Sequence, residues 1–294
     1  MKPQLQRISA PFGPLHASFL DHVETAFPQA GRTFRPWSER GGWTSDYEVF
    51  AAVDSDCRVV STVGRLRMRF LFRGVACDGW QLATVATRPG WRRQGLSRRL
   101  IDWVLDESEI EGHPIILFGN DSVVDFYPRF GFRRVVQWHF TDIYPVEAAK
   151  RPAVRLDIRR SDDRRFLAHH CSRALPSGRC FGARDYYSAL LFHLTIQELP
   201  VYWLDREQAV VIAGHEGDRL VIHDLLPTQA FDLRAALPQL AAATATSISF
   251  GFDPKDWWPS AATLCALPSN DHLFVRGSID PPDGAFRFPD LAQT

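Results

Sequence analysis

Five arginines and no acidic residue fall within residues 80–100 (WQLATVATRPGWRRQGLSRRL), a local excess of positive charge in a chain whose totals cancel at 34 Lys and Arg against 34 Asp and Glu. Such a stretch is suited to holding an anion. Before it, Leu82, Thr84, Val85 and Thr87 alternate as a strand does, and Arg88-Pro89-Gly90 ends that strand, because proline donates no ladder hydrogen bond and glycine permits a sharp turn. Leu96, Leu100, Trp103 and Val104 then recur at helical spacing, so a helix is expected to begin near Gly95. A helix start presents unpartnered backbone N–H groups and a partial positive charge, and neighbouring arginines add charge-assisted donors. The natural ligand of strand, basic loop and helix in that order is a phosphate group.

A second set of residues lies downstream. Asn120 precedes Tyr127 by seven positions, and Tyr127 opens the run Tyr-Pro-Arg-Phe-Gly-Phe directly after Phe126. Taken alone, Tyr127 reads as a core residue among Phe126, Phe130 and Phe132, although its phenol is also a proton donor.

The surrounding pattern must position both sets. A helix is expected over residues 14–26, with Leu15, Phe19 and Val23 on one face, and residues 33–44 form an aromatic segment too irregular for either periodicity, its tryptophans capping a core or walling a pocket. Residues 47–72 read as strands, the row Arg65, Arg67 and Arg69 forming most simply a solvated face, or else a contact for an anionic substrate. A buried strand over residues 115–118, a short helix and a strand over residues 133–144 follow. Strands alternating with helices in this way give an α/β or α+β sheet that binds its ligand at a strand–loop–helix junction.

These residues resemble the GCN5-related N-acetyltransferase (GNAT) superfamily. Pro89 to Ser97 is similar to its coenzyme A signature Q/R-x-x-G-x-G/A, with Arg92 first, Gly95 as the central glycine and Ser97 in place of the last small residue. The block from Phe126 to Phe132 is similar to the F-Y-x-x-x-G-F that closes the family's acetyl-CoA site. The resemblance implies that the backbone of Val85, Ala86 and Thr87 bonds the pantetheine arm as an added strand, that Arg92, Arg93, Gln94, Gly95, Leu96 and Ser97 cradle the pyrophosphate, and that Asn120 supports the pantetheine. Tyr127 would be the general acid. Acetyl-CoA, or another acyl-CoA, would be the co-substrate, with no metal. A base is also needed, and the sequence does not name it. Glu48 on the first long strand and Asp78 in a turn are candidates, as is a bound water.

The second half reads as a weak echo of the first. Helices over residues 161–173 and 185–197 precede the strands PVYWLD, AVVIAGHE and RLVIHDLL, then the helix DLRAALPQLAAA, and residues 247–253 parallel residues 116–121. The loop TQAFD carries no glycine or arginine, and Phe252 stands where Asn120 stood, so no second phosphate cradle is visible. Two GNAT-like domains are expected, residues 1–145 with the acetyl-CoA site and residues 146–294 degenerate, joined by a linker or crossing strand over residues 141–156. Each is expected to be a mixed twisted sheet flanked by helices.

The activity so implied is transfer of an acetyl group from acetyl-CoA to a primary amine of a small molecule by direct attack. A coenzyme A-binding regulatory or partner-binding module that has lost turnover is the alternative. Zero net charge argues against nucleic acid as a partner. Residues 235–252 are too interrupted for a membrane span, no secretory core opens the chain, and five scattered cysteines suggest no disulfide framework, so a cytoplasmic protein is expected. His169-His170-Cys171 with Cys180 lacks a second ligand pair for zinc, and Tyr186-Tyr187 and Trp257-Trp258 read as core anchors or pocket walls. Oligomeric state is not legible.

Overall fold

The computed structural model describes residues 2–149, 152–241, 243–266, 271–277, 279 and 284–294. The first half of the chain runs β1 (Gln4–Ile8), α1 (Pro14–Ala26), α2 (Phe34–Glu39), β2 (Tyr47–Val53), β3 (Val59–Phe72), β4 (Val75–Thr87), α3 (Leu96–Glu111), β5 (Ile115–Gly119), β6 (Arg133–Val135) and β7 (Trp138–Asp142). The second runs β8 (Val154–Leu156), α4 (Ser161–Arg173), β9 (Phe181–Arg184), α5 (Tyr187–Gln197), β10 (Val201–Leu204), β11 (Ala209–Glu216), β12 (Arg219–Pro227), α6 (Leu233–Leu240), β13 (Ser247–Phe250), β14 (Ala262–Ala266) and β15 (His272–Arg276).

Two mixed sheets result, flanked by six helices. The first has the order β1-β2-β3-β4-β5-β15-β6, with β9 paired to β3, and the second β8-β10-β11-β12-β13-β7-β14. Position by position the two agree in sense. The fourth and fifth strands are parallel in each (β4 with β5, β12 with β13), and the other neighbours along both orders are antiparallel. The crossover between the parallel strands is a helix in both cases, α3 and α6. This is the echo expected from the sequence, now seen as topology.

The halves do not stay apart. Each sheet takes its sixth strand from the other half: β7 lies between β13 and β14, and β15 lies between β5 and β6. Residues 133–144, expected as one strand, are therefore two strands in two sheets. The crossing is held by Gln137, a buried side chain whose Oε1 accepts the Phe288 N–H at 2.8 Å, and by the Trp138 N–H donating to the Phe286 carbonyl at 2.9 Å. β15, from the second half of the chain, joins the first sheet rather than the second.

Other differences are local. The irregular aromatic segment contains α2, and the short helix expected after Asp121 is a pair of 3-10 turns over Asp121–Val123 and Tyr127–Phe130. Residues 141–156, expected as a linker or crossing strand, hold β8. In the C-terminal tail, residues 281–294, positions 281–283 lie outside the described residues, as does the Cys265 side chain. Among those described, no helix is long and apolar enough to cross a membrane.

The core has three parts. One face of the first sheet packs on α3 through Phe50, Leu82, Leu100, Val104 and Leu117. Its other face packs on α1, α2 and α5 and on the tail residues Phe286 and Phe288. The second sheet packs on α6 through Leu220, Ile222, Leu237, Ile248 and Phe250.

Candidate active site between splayed strands

The site begins with a break in a ladder. β4 pairs with β5 only from Trp80 to Leu82, opposite Ile115 to Leu117, and past that point the two parallel strands diverge. A bulge turns β4 away. Between Thr62 and Gly64 of β3 the register slips because β4 carries one extra residue, and Thr84 takes the left-handed φ of 46°. A β-branched residue there costs roughly 1–3 kcal/mol, so its surroundings must hold it. They do so by the Thr62 hydroxyl donating to the Thr84 carbonyl at 2.7 Å and by a 2.9 Å hydrogen bond between the Tyr47 and Thr84 hydroxyls. Gly64 is required opposite, since a Cβ would lie 2.4 Å from Thr84 Oγ1. The edge of β4 over residues 83–87 thus faces a gap instead of β5, and such an edge can pair with an extended ligand.

The basic loop closes one end of the gap. Arg93 and Gly95 both have left-handed φ, 63° and 73°, which turns the backbone into α3. The first in-helix bond joins the Arg99 N–H to the Gly95 carbonyl, leaving the N–H groups of Leu96, Ser97 and Arg98 at the helix start. A Cβ on Gly95 would meet nothing within 4 Å, so the space beside this backbone is open. Arg92 Nε donates to the Thr87 carbonyl at 3.1 Å, and the Ser97 and Thr87 hydroxyls lie 2.7 Å apart, tying the loop to the end of β4. Arg92, Arg93 and Gln94 are exposed. Arg88 is turned elsewhere, donating to the Val59 carbonyl and to Asp21. Exposed N–H groups, open space and free guanidinium faces fit a pyrophosphate.

Tyr127 lies on the far wall of the gap. Its ring packs on Phe126, Phe132 and Phe274, and burial pushes its phenol up to about 12, which keeps it protonated at neutral pH. Gly119 makes room for it: a Cβ there would stand 3.2 Å from the Tyr127 ring and 2.9 Å from Val123. Asn120 lies beside it, its Oδ1 accepting the Ser122 N–H at 3.0 Å and the Ser122 hydroxyl at 2.6 Å, with its amide N–H groups still available to donate. Val85, Asn120 and Tyr127, two spans apart in sequence, line one cavity.

Glu48 is not brought to that cavity. Along β2, Tyr47 and Val49 face the cavity side of the sheet and Glu48 faces α3, where Arg65 donates to it at 2.9 Å and Arg7 lies 3.7 Å away. Alternation of side chains along a strand decides this. Arg65 itself is buried, paired also with Glu107 at 3.3 Å and lying 3.9 Å over the Trp80 ring, so the arginine row is solvated only at Arg67 and Arg69. Asp78 is likewise absent from the cavity wall and sits 3.8 Å from Arg69.

The cavity holds about 270 Å³ and runs from the splay toward α1, α2 and α5. Phe27, Phe34, Trp37 and Phe192 line that end. Trp37 is fixed by its indole N–H donating to the Ser188 carbonyl at 2.9 Å, and a Cβ on Gly42 would strike its ring, which is why glycine follows the short helix. Ser188, Ala189, Phe192, Asp271 and Thr294 all come from the second half. Thr294 is held at the cavity by Gln81, whose Oε1 accepts its N–H and whose amide donates to the Ala292 carbonyl, both at 2.9 Å. Sequence reasoning missed Asp271, Phe192 and Gln81. Only the tryptophan of the aromatic segment carried a signal.

The remaining candidates are structural. Tyr186 donates to the buried Asp224 at 2.6 Å, Trp258 to Asp142 at 2.7 Å and Trp257 to the Ser177 carbonyl at 2.9 Å. His170 bonds the Leu226 carbonyl at 2.7 Å, and among the described residues no group of three or more His, Cys, Asp or Glu could hold a metal ion.

A parallel strand pair opened by a bulge thus has the loop into α3 at one end and the buried Tyr127 at the other. Residues 15–135 match the family model for the Acetyltransferase (GNAT) domain. Solved structures agree at the level of fold. A probable N-acyltransferase from Enterococcus faecalis superposes with TM-score 0.62 at 16% identity, covering 94% of this chain and 73% of that one. A GCN5-related N-acetyltransferase from Anabaena variabilis gives 0.56 at 14%, covering 93% and 72%, and one from Kribbella flavida gives 0.54 at 15%, covering 94% and 71%. No curated protein matches the sequence.

Proposed function

We propose that the protein is an acyl-CoA-dependent N-acyltransferase that moves an acetyl group from acetyl-CoA to a primary amine of a small molecule by direct attack. One observation carries this reading: the free edge of β4 past Leu82 lies between the Gly95 helix start and Tyr127. In that arrangement Val85, Ala86 and Thr87 hold the pantetheine arm along their backbone, Arg92 to Ser97 take the pyrophosphate, and Asn120 donates to the pantetheine. When bound, acetyl-CoA supplies the thioester. The amine nitrogen bonds to the carbonyl carbon as the C–S bond breaks, and Tyr127 gives its phenolic proton to the sulfur. A phenol near 12 is a weak acid, so it first donates a hydrogen bond that strengthens as charge builds on sulfur and yields its proton only as the C–S bond breaks.

The test is release of free thiol from acetyl-CoA over a panel of amines. Tyr127→Phe is expected to lower kcat by about 10²-fold or more while the acetyl-CoA Kd stays within about two-fold of the parent. Equal kcat in the two proteins removes Tyr127 from the chemistry. Acetyl-CoA binding with no turnover of any amine, and no effect of Tyr127→Phe, supports a coenzyme A-binding regulator instead.

A further inference from the structure

Away from the splay, the cavity has an unusual balance of groups. Phe27, Phe34, Trp37 and Phe192 form its wall, and Asp271 is the one charged side chain among the described lining residues. The wall is built rather than accidental: Phe34 and Phe192 lie 5.0 Å apart between centroids, Trp37 and Phe192 6.0 Å, and the indole of Trp37 is anchored on Ser188 of α5. A polycationic acceptor needs several carboxylates, and a polyhydroxylated one would leave hydroxyls unbonded against these rings, which is costly. A cavity of about 270 Å³ is at the small end for ligand sites, which limits the body that fits.

We propose that the acceptor is a primary amine carried on a compact aromatic or branched apolar body, its body against Phe34, Trp37 and Phe192 and its ammonium at Asp271. The inference rests on the acyltransferase reading above and specifies its substrate class. Protons balance as follows. The ammonium gives one proton to Asp271, the N–C bond forms as the C–S bond breaks, the sulfur takes the proton of Tyr127, and the second proton of the nitrogen restores the phenol through solvent. One proton is released per turnover. Asp271 stands exposed at the mouth, where it can pass that proton to water.

The experiment uses the full chain and acetyl-CoA. With phenethylamine, propylamine and spermidine as acceptors, kcat/KM for phenethylamine is expected to exceed the other two by at least about 10-fold, the range a filled apolar pocket gives. Phe192→Ala should remove most of that advantage. Asp271→Asn should lower kcat for phenethylamine and raise its KM, each about 10-fold, and should not weaken binding of neutral phenethyl alcohol to the coenzyme A-loaded protein. Preference for spermidine, or equal rates for phenethylamine and propylamine, overturns the proposal. So does an advantage of about 10-fold for hexanoyl-CoA over acetyl-CoA with no discrimination among amines, which would assign the apolar wall to the acyl chain. Calorimetry separates the two levels of failure: if acetyl-CoA itself does not bind, the acyltransferase reading fails, whereas if it binds and the phenyl group confers nothing, only the acceptor class is refuted.

Discussion

His22 is a polar ring sealed inside α1, fully buried beside Phe19 and Val23. Burial, assisted by the charge of Arg88, lowers it from 6.5 to about 4. The sign follows from which state takes the proton: below 6.5 the unfolded chain binds it while the folded chain does not, so stability is lost as pH falls from 6.5 toward 4. The loss from this group is roughly 2 kcal/mol at pH 5. Denaturant unfolding of the parent and of His22→Leu at pH 7 and pH 5 isolates it, since buried carboxyls such as Asp224, raised to about 7 by burial, act in the opposite direction in both proteins. The parent is expected to lose about 2 kcal/mol relative to the variant over that interval; parallel curves would mean that the imidazole is protonated in the fold. Of the two residues expected to act in catalysis, Tyr127 lines the cavity and Glu48 does not. The alternation that put Glu48 on a strand also turned it toward Arg65 and α3, and which face of a strand meets a cavity is decided by the sheet's partners, not by the strand.

At the scale of elements, two backbone devices build the site, the bulge in β4 and the turn into α3. The turn depends on Gly95, whose φ of 73° costs an alanine about 1 kcal/mol and whose open side would receive the phosphate under the proposed function. Gly95→Ala is therefore expected to weaken acetyl-CoA binding by about ten-fold while the melting temperature falls by only a few degrees. Unchanged affinity in titration would show that the ligand approaches another part of the loop. The helix start was readable in advance because glycine, arginine and apolar spacing all mark it. The bulge was not, because Thr84 is a good strand residue and nothing in its type announces a left-handed φ. In the second sheet an equivalent slip occurs between Ile212 and Ala213, with the extra residue on β12, yet the start of α6 is already occupied by its own anion. Asp232 accepts from Arg234 N–H at 2.9 Å and from Ala235 N–H at 3.3 Å. Past the last β12–β13 pair, the Asp290 N–H donates to Gly251 and Arg287 to the Phe250 carbonyl, so the chain's own residues lie at that divergence.

At the scale of the whole molecule, the two halves are copies that exchange a strand. The first half supplies the splay and the second supplies β15, α5 and Asp271, so a cut after residue 145 leaves the first sheet without its sixth strand and without the cover of α5. A fragment of residues 1–145 is expected to show no cooperative thermal transition, and coexpression with residues 146–294 to restore one; a folded fragment alone would contradict the exchange. The internal repeat could be read from the order of apolar runs. The exchange could not, since β6 and β7 are separated by two residues and carry no turn signal, and only the long-range anchoring of Gln137 and Trp138 on the tail sends them to different sheets.

One acyl-CoA site per chain, in the first repeat, is the claim on which the rest depends. Isothermal titration of the full chain with acetyl-CoA tests it most directly. The account predicts one acetyl-CoA bound per chain, with affinity reduced by Gly95→Ala and unaffected by Asp232→Asn; two equivalents, or one equivalent that responds to Asp232→Asn and not to Gly95→Ala, would contradict it.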